Sequence, residues 1–229
     1  MNYEILHKDA FPIVKCDLKR GEILKAESDA MVAMSANLDV SGTMGDGGFL
    51  GGLARKFLTG ESFFCQNITA VRGDGSVLLG HPALGGITDV ELDGTYGLIV
   101  QKDGFLASTE NISVDTKMQN LMQGLFSREG FFVLKIHGTG TVFLSSYGAI
   151  HPINLEAGEE VIIDNGHLVA WPDYMNYKIE KASNGWISSM MSGECLVCRF
   201  KGPGTVLIQT RKPEALSEWL QKLNSGNVK

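Results

Sequence analysis

The residues with the most chemical potential are Cys195 and Cys198, which form a C-x-x-C. Thioredoxin-type redox chemistry places that spacing at a helix start, where the dipole lowers a thiol pKa. Here the setting is Glu194-Cys195-Leu196-Val197-Cys198-Arg199-Phe200, a strand pattern, and residues i and i+3 of a strand point to opposite faces. No second Cys or His pair stands at ligand spacing, so buried structural thiols are expected and no metal or other cofactor. The five histidines, His7, His81, His137, His151 and His167, never occur as H-x-H or H-x-x-x-H. Two imidazoles are therefore not set to converge on one ion. There is no G-x-S-x-G elbow, and the glycines from Gly45 to Gly52 lack the lysine and spacing of a phosphate-binding loop. Glu61, Glu129 and Glu194 recur along the chain, each beside a glycine or cysteine ahead of a strand. A carboxylate that returns at regular intervals fits a shared turn better than one active site. No catalytic residue is assigned, and the chain is not expected to be an enzyme.

The elements that would have to position any site are better defined than the site. The 229 residues are 44% hydrophobic and 20% charged, enough to bury a sizeable core. A net charge of -6 opposes a phosphate-collecting surface, so nucleic acid is not an expected partner. No apolar run reaches the about 18 residues of a membrane span, and the first eleven residues have neither signal- nor transit-peptide character. The expectation is a cytoplasmic bacterial protein, with peripheral contact to a membrane as an option.

The chain repeats itself. A glycine turn leading into a strand reads Val71-Arg-Gly73-Asp-Gly75-Ser-Val77, then Ile136-His-Gly138-Thr-Gly140-Thr-Val142, then Phe200-Lys-Gly202-Pro-Gly204-Thr-Val206. Intervals between equivalent glycines are 65 and 64 residues. Each copy reads as strand, glycine turn, strand. The first has three more residues before the turn, which suggests a bulge or a longer strand. A hairpin element is also shared: Leu18-Lys-Arg-Gly21-Glu22 running on to Ala30-Met31-Val32-Ala33-Met34 matches Leu155-Glu-Ala-Gly158-Glu159 running on to His167-Leu168-Val169-Ala170-Trp171. The middle copy is looser, with Leu92-Asp-Gly94 and Gly104-Phe105-Leu106-Ala107. On this alignment His167 stands where the other copies have Ala30 and Phe105, a structural position. The repeats are 1–80, 81–148 and 149–212, and no linker separates them, so they form one compact body over 1–229. Residues 213–224 form a helix, with Pro213 in its first turn and Leu216, Trp219, Leu220 and Leu223 at helical spacing. Its apolar stripe is expected to dock on the β body.

Between hairpin and Gly-Glu segment each copy carries an apolar insertion, containing Phe49, Leu53 and Phe57 in the first, Leu125 and Phe126 in the second, and Trp186 in the third. Such segments either fold back over the core or expose an apolar patch for self-association, a protein partner or a membrane surface. Glu61, Arg128 and His167 are the polar candidates for a pocket between repeats.

Several of these segments together resemble a known family. Thr59-Gly-Glu-Ser62-Phe63, Gly124-Leu-Phe-Ser127, Ser145-Ser-Tyr147-Gly148, Asp164-Asn-Gly-His-Leu-Val-Ala-Trp171 and Phe200-Lys-Gly-Pro-Gly204 with Ile208-Gln-Thr-Arg211 resemble the bacterial relatives of a mitochondrial protein of the altered-inheritance-of-mitochondria series, number twenty-four. The resemblance spans almost the whole chain. It implies a fold related to the tryptophan RNA-binding attenuation protein, here as three units in one chain. Mitochondrial members are associated with the inner membrane and its cristae-organising complex, and no biochemical activity is established for the family. Arg128 stands where the family often has Gly. RNA binding does not transfer, because the attenuation protein's contacts have no counterparts here.

The expected architecture is all-β: three internal repeats of a β-sandwich unit, attenuation-protein-like, around a pseudo-threefold axis, with a short C-terminal helix. The expected function is non-catalytic binding or scaffolding by a homo-oligomer, with a small-ligand-binding protein or undetected enzyme as the alternative.

Overall fold

The computed structural model describes residues 1–43, 65–119, 131–181 and 196–225. These form a mostly β structure with one short C-terminal helix. The candidate residues Phe49, Leu53, Phe57, Glu61, Leu125, Phe126, Arg128 and Trp186 lie outside the described residues.

The first strands are β1 (Asn2–Leu6), β2 (Ile13–Leu18), β3 (Ile23–Glu27), β4 (Met31–Met34), β5 (Leu38–Thr43), β6 (Cys65–Ala70) and β7 (Gly75–Leu79). Next come β8 (Ile87–Asp93), β9 (Leu98–Gln101), β10 (Phe105–Thr109), β11 (Ile112–Gln119) and the long β12 (Phe131–Ser145). The last are β13 (Ile150–Leu155), β14 (Glu160–Asp164), β15 (Leu168–Pro172), β16 (Asn176–Lys181), β17 (Leu196–Lys201) and β18 (Gly204–Gln209), followed by α1 (Pro213–Asn224). Alternation explains the strands: in β2, Val14, Cys16 and Leu18 are buried while Lys15 and Asp17 between them are not. The turns before β3, β9 and β14 each carry a glycine at positive φ, Gly21, Gly94 and Gly158, where a side chain would strain the backbone. The expected hairpins do not form there, because β2 and β3, β8 and β9, and β13 and β14 pair with other strands and not with each other.

One pairing scheme recurs. In residues 13–79, β7 lies between β2 and β4, and β6 lies between β3 and β5. In residues 87–145 the single strand β12 does both jobs, its C-terminal half pairing with β8 and β10 and its N-terminal half with β9 and β11. In residues 150–209, β18 lies between β13 and β15, and β17 between β14 and β16. The register also recurs: one residue is skipped between Met31 and Ala33, between Phe105 and Ala107, and between Leu168 and Ala170. Pro152 sits in β13, an edge strand, where a missing N–H is tolerated.

The pairings correct three details of the sequence reading. In the middle span there is no turn between two strands, because β12 runs unbroken through Gly138 and Gly140. Against the third copy, two of the first copy's three extra residues fall in the connection between β6 and β7, which has four residues where that between β17 and β18 has two, and the third lengthens β6 past Ile68, the equivalent of Phe200. Leu168 and Phe105 hold matching registers, so Gly104, not Phe105, is in step with His167.

Two further pairings join the spans. β3 pairs with β10, matching Ala26 to Ala107, Lys25 to Ser108 and Leu24 to Thr109. β9 pairs with β15, matching Val100 to Ala170, Ile99 to Trp171 and Leu98 to Pro172. Buried side chains follow: Leu106, Ala107 and Phe143 pack with Val14, Leu24, Ile68 and Leu79, and Val169 and Ala170 pack with Val100, Leu134 and Ile136. A third cluster centres on Trp171, whose ring meets Tyr177 and Phe200 edge to face at 5.2 and 5.3 Å.

Helix α1 does not dock as expected. None of its residues is buried, and Leu216, Trp219, Leu220 and Leu223 are all exposed.

Candidate functional site

The chemically capable side chains are dispersed and already occupied by the fold. His81 sits just after β7, its Nδ1 accepting the Ala83 N–H at 3.0 Å and its Nε2 3.6 Å from Glu27. Burial pushes its pKa below the usual imidazole value, with the charge of Asp103 opposing. His137 lies 3.8 Å from Asp115 on the neighbouring strand, both side chains about half exposed. Among the described residues, no group of three or more His, Cys, Asp or Glu is placed to hold a metal ion.

His167 closes a short 3-10 turn, Asn165–His167, whose entry is capped by Asp164 accepting the Gly166 N–H at 2.9 Å. Its Nδ1 is 2.6 Å from the Gln209 carbonyl oxygen. The Gln209 side chain donates to the Gly166 carbonyl at 2.9 Å and accepts the Tyr147 N–H at 2.8 Å. Gln101 reaches the same turn from β9, through Asn165. All but the Gln101–Asn165 side-chain bond run between backbone and side chain, and all stay within the turn and its neighbours. His167 thus holds a connection together, and Glu61 and Arg128, its proposed pocket companions, lie outside the described residues.

The cysteines behave as structural thiols. Cys198 is buried in β17 against Trp171 and Phe200, and Cys16 is buried in β2. Burial pushes both thiols up to about 12, helped by the nearby charges of Asp164 and Asp17 respectively. Cys65 is likewise pushed up to about 12 by burial and by Glu27. A thiol in this condition is neutral and poorly nucleophilic. Cys195 lies outside the described residues.

What the described surface does offer is apolar. The stripe of α1 is one such feature. The other is β4: Met31, Val32, Ala33 and Met34 are all exposed, whereas the matching strands are buried, β10 over Phe105 to Ser108 and β15 throughout. The difference is the neighbour. β10 is covered by β3, and β15 by β9, while β4 ends its sheet, one edge unpaired among the described residues. At the far end of the chain β14 also ends its sheet, and Ile162 in its middle is 45% exposed. Sequence reading missed this surface because Met-Val-Ala-Met has the composition of a core strand. The signal was the count of junctions, since among the described strands the recurring pairing scheme meets itself only twice, at β3–β10 and β9–β15.

Comparison with known proteins agrees with the pattern of the sequence. An uncharacterized protein of Streptococcus pyogenes serotype M6 is 30% identical over 228 residues, covering 97% of this chain and 90% of its own. A crystal structure of another Streptococcus pyogenes protein, a structural-genomics target, superposes with a TM-score of 0.80 at 30% identity, covering 97% of this chain and 99% of that one. Residues 3–211 match the family described as Mitochondrial biogenesis AIM24. With nearly its whole length in that match and strands running from Asn2 to Gln209, the chain belongs to the AIM24 family.

Proposed function

We propose that the protein is a non-catalytic scaffold that self-associates and presents apolar surface to a protein or membrane partner. It is built from three β-sandwich units of the attenuation-protein type arranged about a pseudo-threefold axis, with the junction between the first and third units left open, since no described strand pairs across it. The recurring pairing scheme and the register shift shared by β4, β10 and β15 support the triplication.

The observation that carries the functional reading is α1. A helix of 12 residues with four large apolar side chains on one stripe and no buried residue is not made to stand alone in water. Short helices owe their stability to the packing of an apolar face. Its polar positions mix Glu214 and Glu218 with Lys222, a balance that suits a protein surface better than an anionic membrane.

Light scattering coupled to size exclusion, beside flotation with neutral and anionic vesicles, tests this reading. The expected result is a mass above that of one chain that rises with concentration. The variant Leu216→Ser/Trp219→Ser/Leu220→Ser should keep the β spectrum and lose contact with the partner or vesicle. A chain that is monomeric at every concentration and ignores both kinds of vesicle overturns the proposal.

A further inference from the structure

Among the strands that end sheets in the described residues, β4 and β14 occupy the same two strand positions that pair with each other inside the chain. We infer that β14 of one copy pairs with β4 of the next, antiparallel, in the register that the chain already uses twice. This rests on the self-association proposed above and names its contact.

The register follows from the internal junctions. At the first, Leu24, Lys25 and Ala26 of β3 meet Thr109, Ser108 and Ala107. At the second, Leu98, Ile99 and Val100 of β9 meet Pro172, Trp171 and Ala170. Pairing with the neighbouring inner strand fixes the equivalents on β14: Leu24 faces Ile68, Leu98 faces Ile136 and Val161 faces Phe200. Val161, Ile162 and Ile163 therefore stand where Leu24, Lys25 and Ala26 stand. The shared register skip fixes the other side, because Met31 and Ala33 match Phe105 and Ala107, and Leu168 and Ala170. Ser35, Met34 and Ala33 are thus the equivalents of Thr109, Ser108 and Ala107. The third junction brings Val161 opposite Ser35, Ile162 opposite Met34 and Ile163 opposite Ala33.

Three features favour a second copy as the occupant. Apart from Ser35, the side chains that meet are apolar, and Ile162 and Met34, each 37% exposed or more, would be covered together. Apolar edges are ordinarily protected by charge, proline or a bulge. Here Val161-Ile162-Ile163 and Met31-Val32-Ala33-Met34 carry no charged residue and no proline, and the protection is limited to Glu160 and Asp164 at the ends of β14 and the register shift in β4. No strand pairing among the described residues joins residues 1–79 to residues 150–209, so the chain does not close the junction on itself. The contact is head to tail, using different surfaces on the two copies, so a third copy adds in the same way.

The test uses two single variants, Met34→Cys and Ile162→Cys, each on a Cys195→Ser background. Directly opposed residues of antiparallel strands lie about 4.5–5.5 Å apart at Cα, within disulfide reach. Mild oxidation of an equimolar mixture should give a cross-linked dimer as the major product, and either variant alone should give none. Met34→Cys mixed with Glu160→Cys, two residues out of register, should cross-link at least tenfold less. Preferential cross-linking of the Glu160→Cys pair overturns the register. A chain carrying both Met34→Cys and Ile162→Cys that oxidises within one molecule at high dilution also overturns the inference, because the junction then closes internally. Persistent association without any Met34–Ile162 cross-link defeats this contact while leaving the scaffold reading standing. Monomers throughout defeat both.

Discussion

Lys212 reaches back over the end of β18 to Asp164, its Nζ 2.6 Å from the carboxylate, and so ties the start of α1 to the turn before β15. Asp164 is already committed to that turn through the Gly166 N–H. The helix is therefore anchored at its base while its stripe stays free. Lys212→Ala should cost about 1 kcal/mol or less in global stability, as partly exposed ion pairs do. Hydrogen exchange over residues 213–224 should speed up far more than over β15 or β18. Equal acceleration in all three would mean that the pair supports the body and not the helix.

Acid should find His81 early. Its folded pKa lies below the value of an unfolded imidazole, mainly through burial, so the unfolded chain binds the proton more readily and stability rises with pH in this window. The contribution is fully present above about pH 6.5, the unfolded value, and is lost as pH falls toward the lower folded value. His81→Asn, whose amide oxygen can still accept the Ala83 N–H, should show a shallower loss of melting temperature between pH 7 and pH 5. Parallel curves for the two proteins would show that another group governs the acid limb.

A Cys195→Ser variant should be inert to a thiol reagent at pH 8 while folded. Cys16, Cys65 and Cys198 are each held near 12 by burial, which leaves about one thiolate in ten thousand at that pH. Labelling should follow global unfolding in denaturant. Rapid modification of Cys198 in buffer would show that β17 opens locally.

Two core positions should respond in opposite directions. Phe200 is fully buried, stacks on Tyr177 at 5.6 Å and meets Trp171 edge to face. Phe200→Ala should cost about 3–5 kcal/mol in denaturant melts. Ser108 is equally buried on β10, and its hydroxyl has no hydrogen-bond partner among the described residues. An unmet hydroxyl is a desolvation cost without return, so Ser108→Ala should be neutral or stabilising by up to about 1 kcal/mol. A loss above that range would place a partner on the hydroxyl.

Much of this architecture was legible because glycine and alternation are local signals. Gly21, Gly94 and Gly158 mark equivalent turns in the sequence, and all three adopt positive φ, although the strands they join do not pair as hairpins. Leu18 and Leu155, three residues ahead of Gly21 and Gly158, end matching strands. Register was harder to read. The skip between Phe105 and Ala107 is set by the partner strand, and nothing in Phe-Leu-Ala announces it, so the sequence matches Ala30 to His167 correctly but places Phe105 beside them where Gly104 belongs. Exposure was harder still. Met31-Val32-Ala33-Met34 and Leu168-Val169-Ala170-Trp171 look alike as strings, but only the second has a neighbouring strand on its outer edge. The stripe of α1 was recognised correctly and given the wrong environment, because an amphipathic period says that a face needs a partner without saying which chain supplies it.

The continuity of β12 gives the middle of the chain a mechanical role that the ends lack. In the outer spans the inner strand positions are filled by separate segments, β6 and β7 or β17 and β18, whereas Phe131–Ser145 fills both at once and holds four strands. Gly138 cannot take a side chain there, since a Cβ would lie 2.2 Å from the Asn111 carbonyl oxygen. New chain ends opened between β6 and β7 would cut a loop. The same cut at Gly138 would split the strand that holds β8, β9, β10 and β11 together, so the two halves of the molecule should then unfold separately.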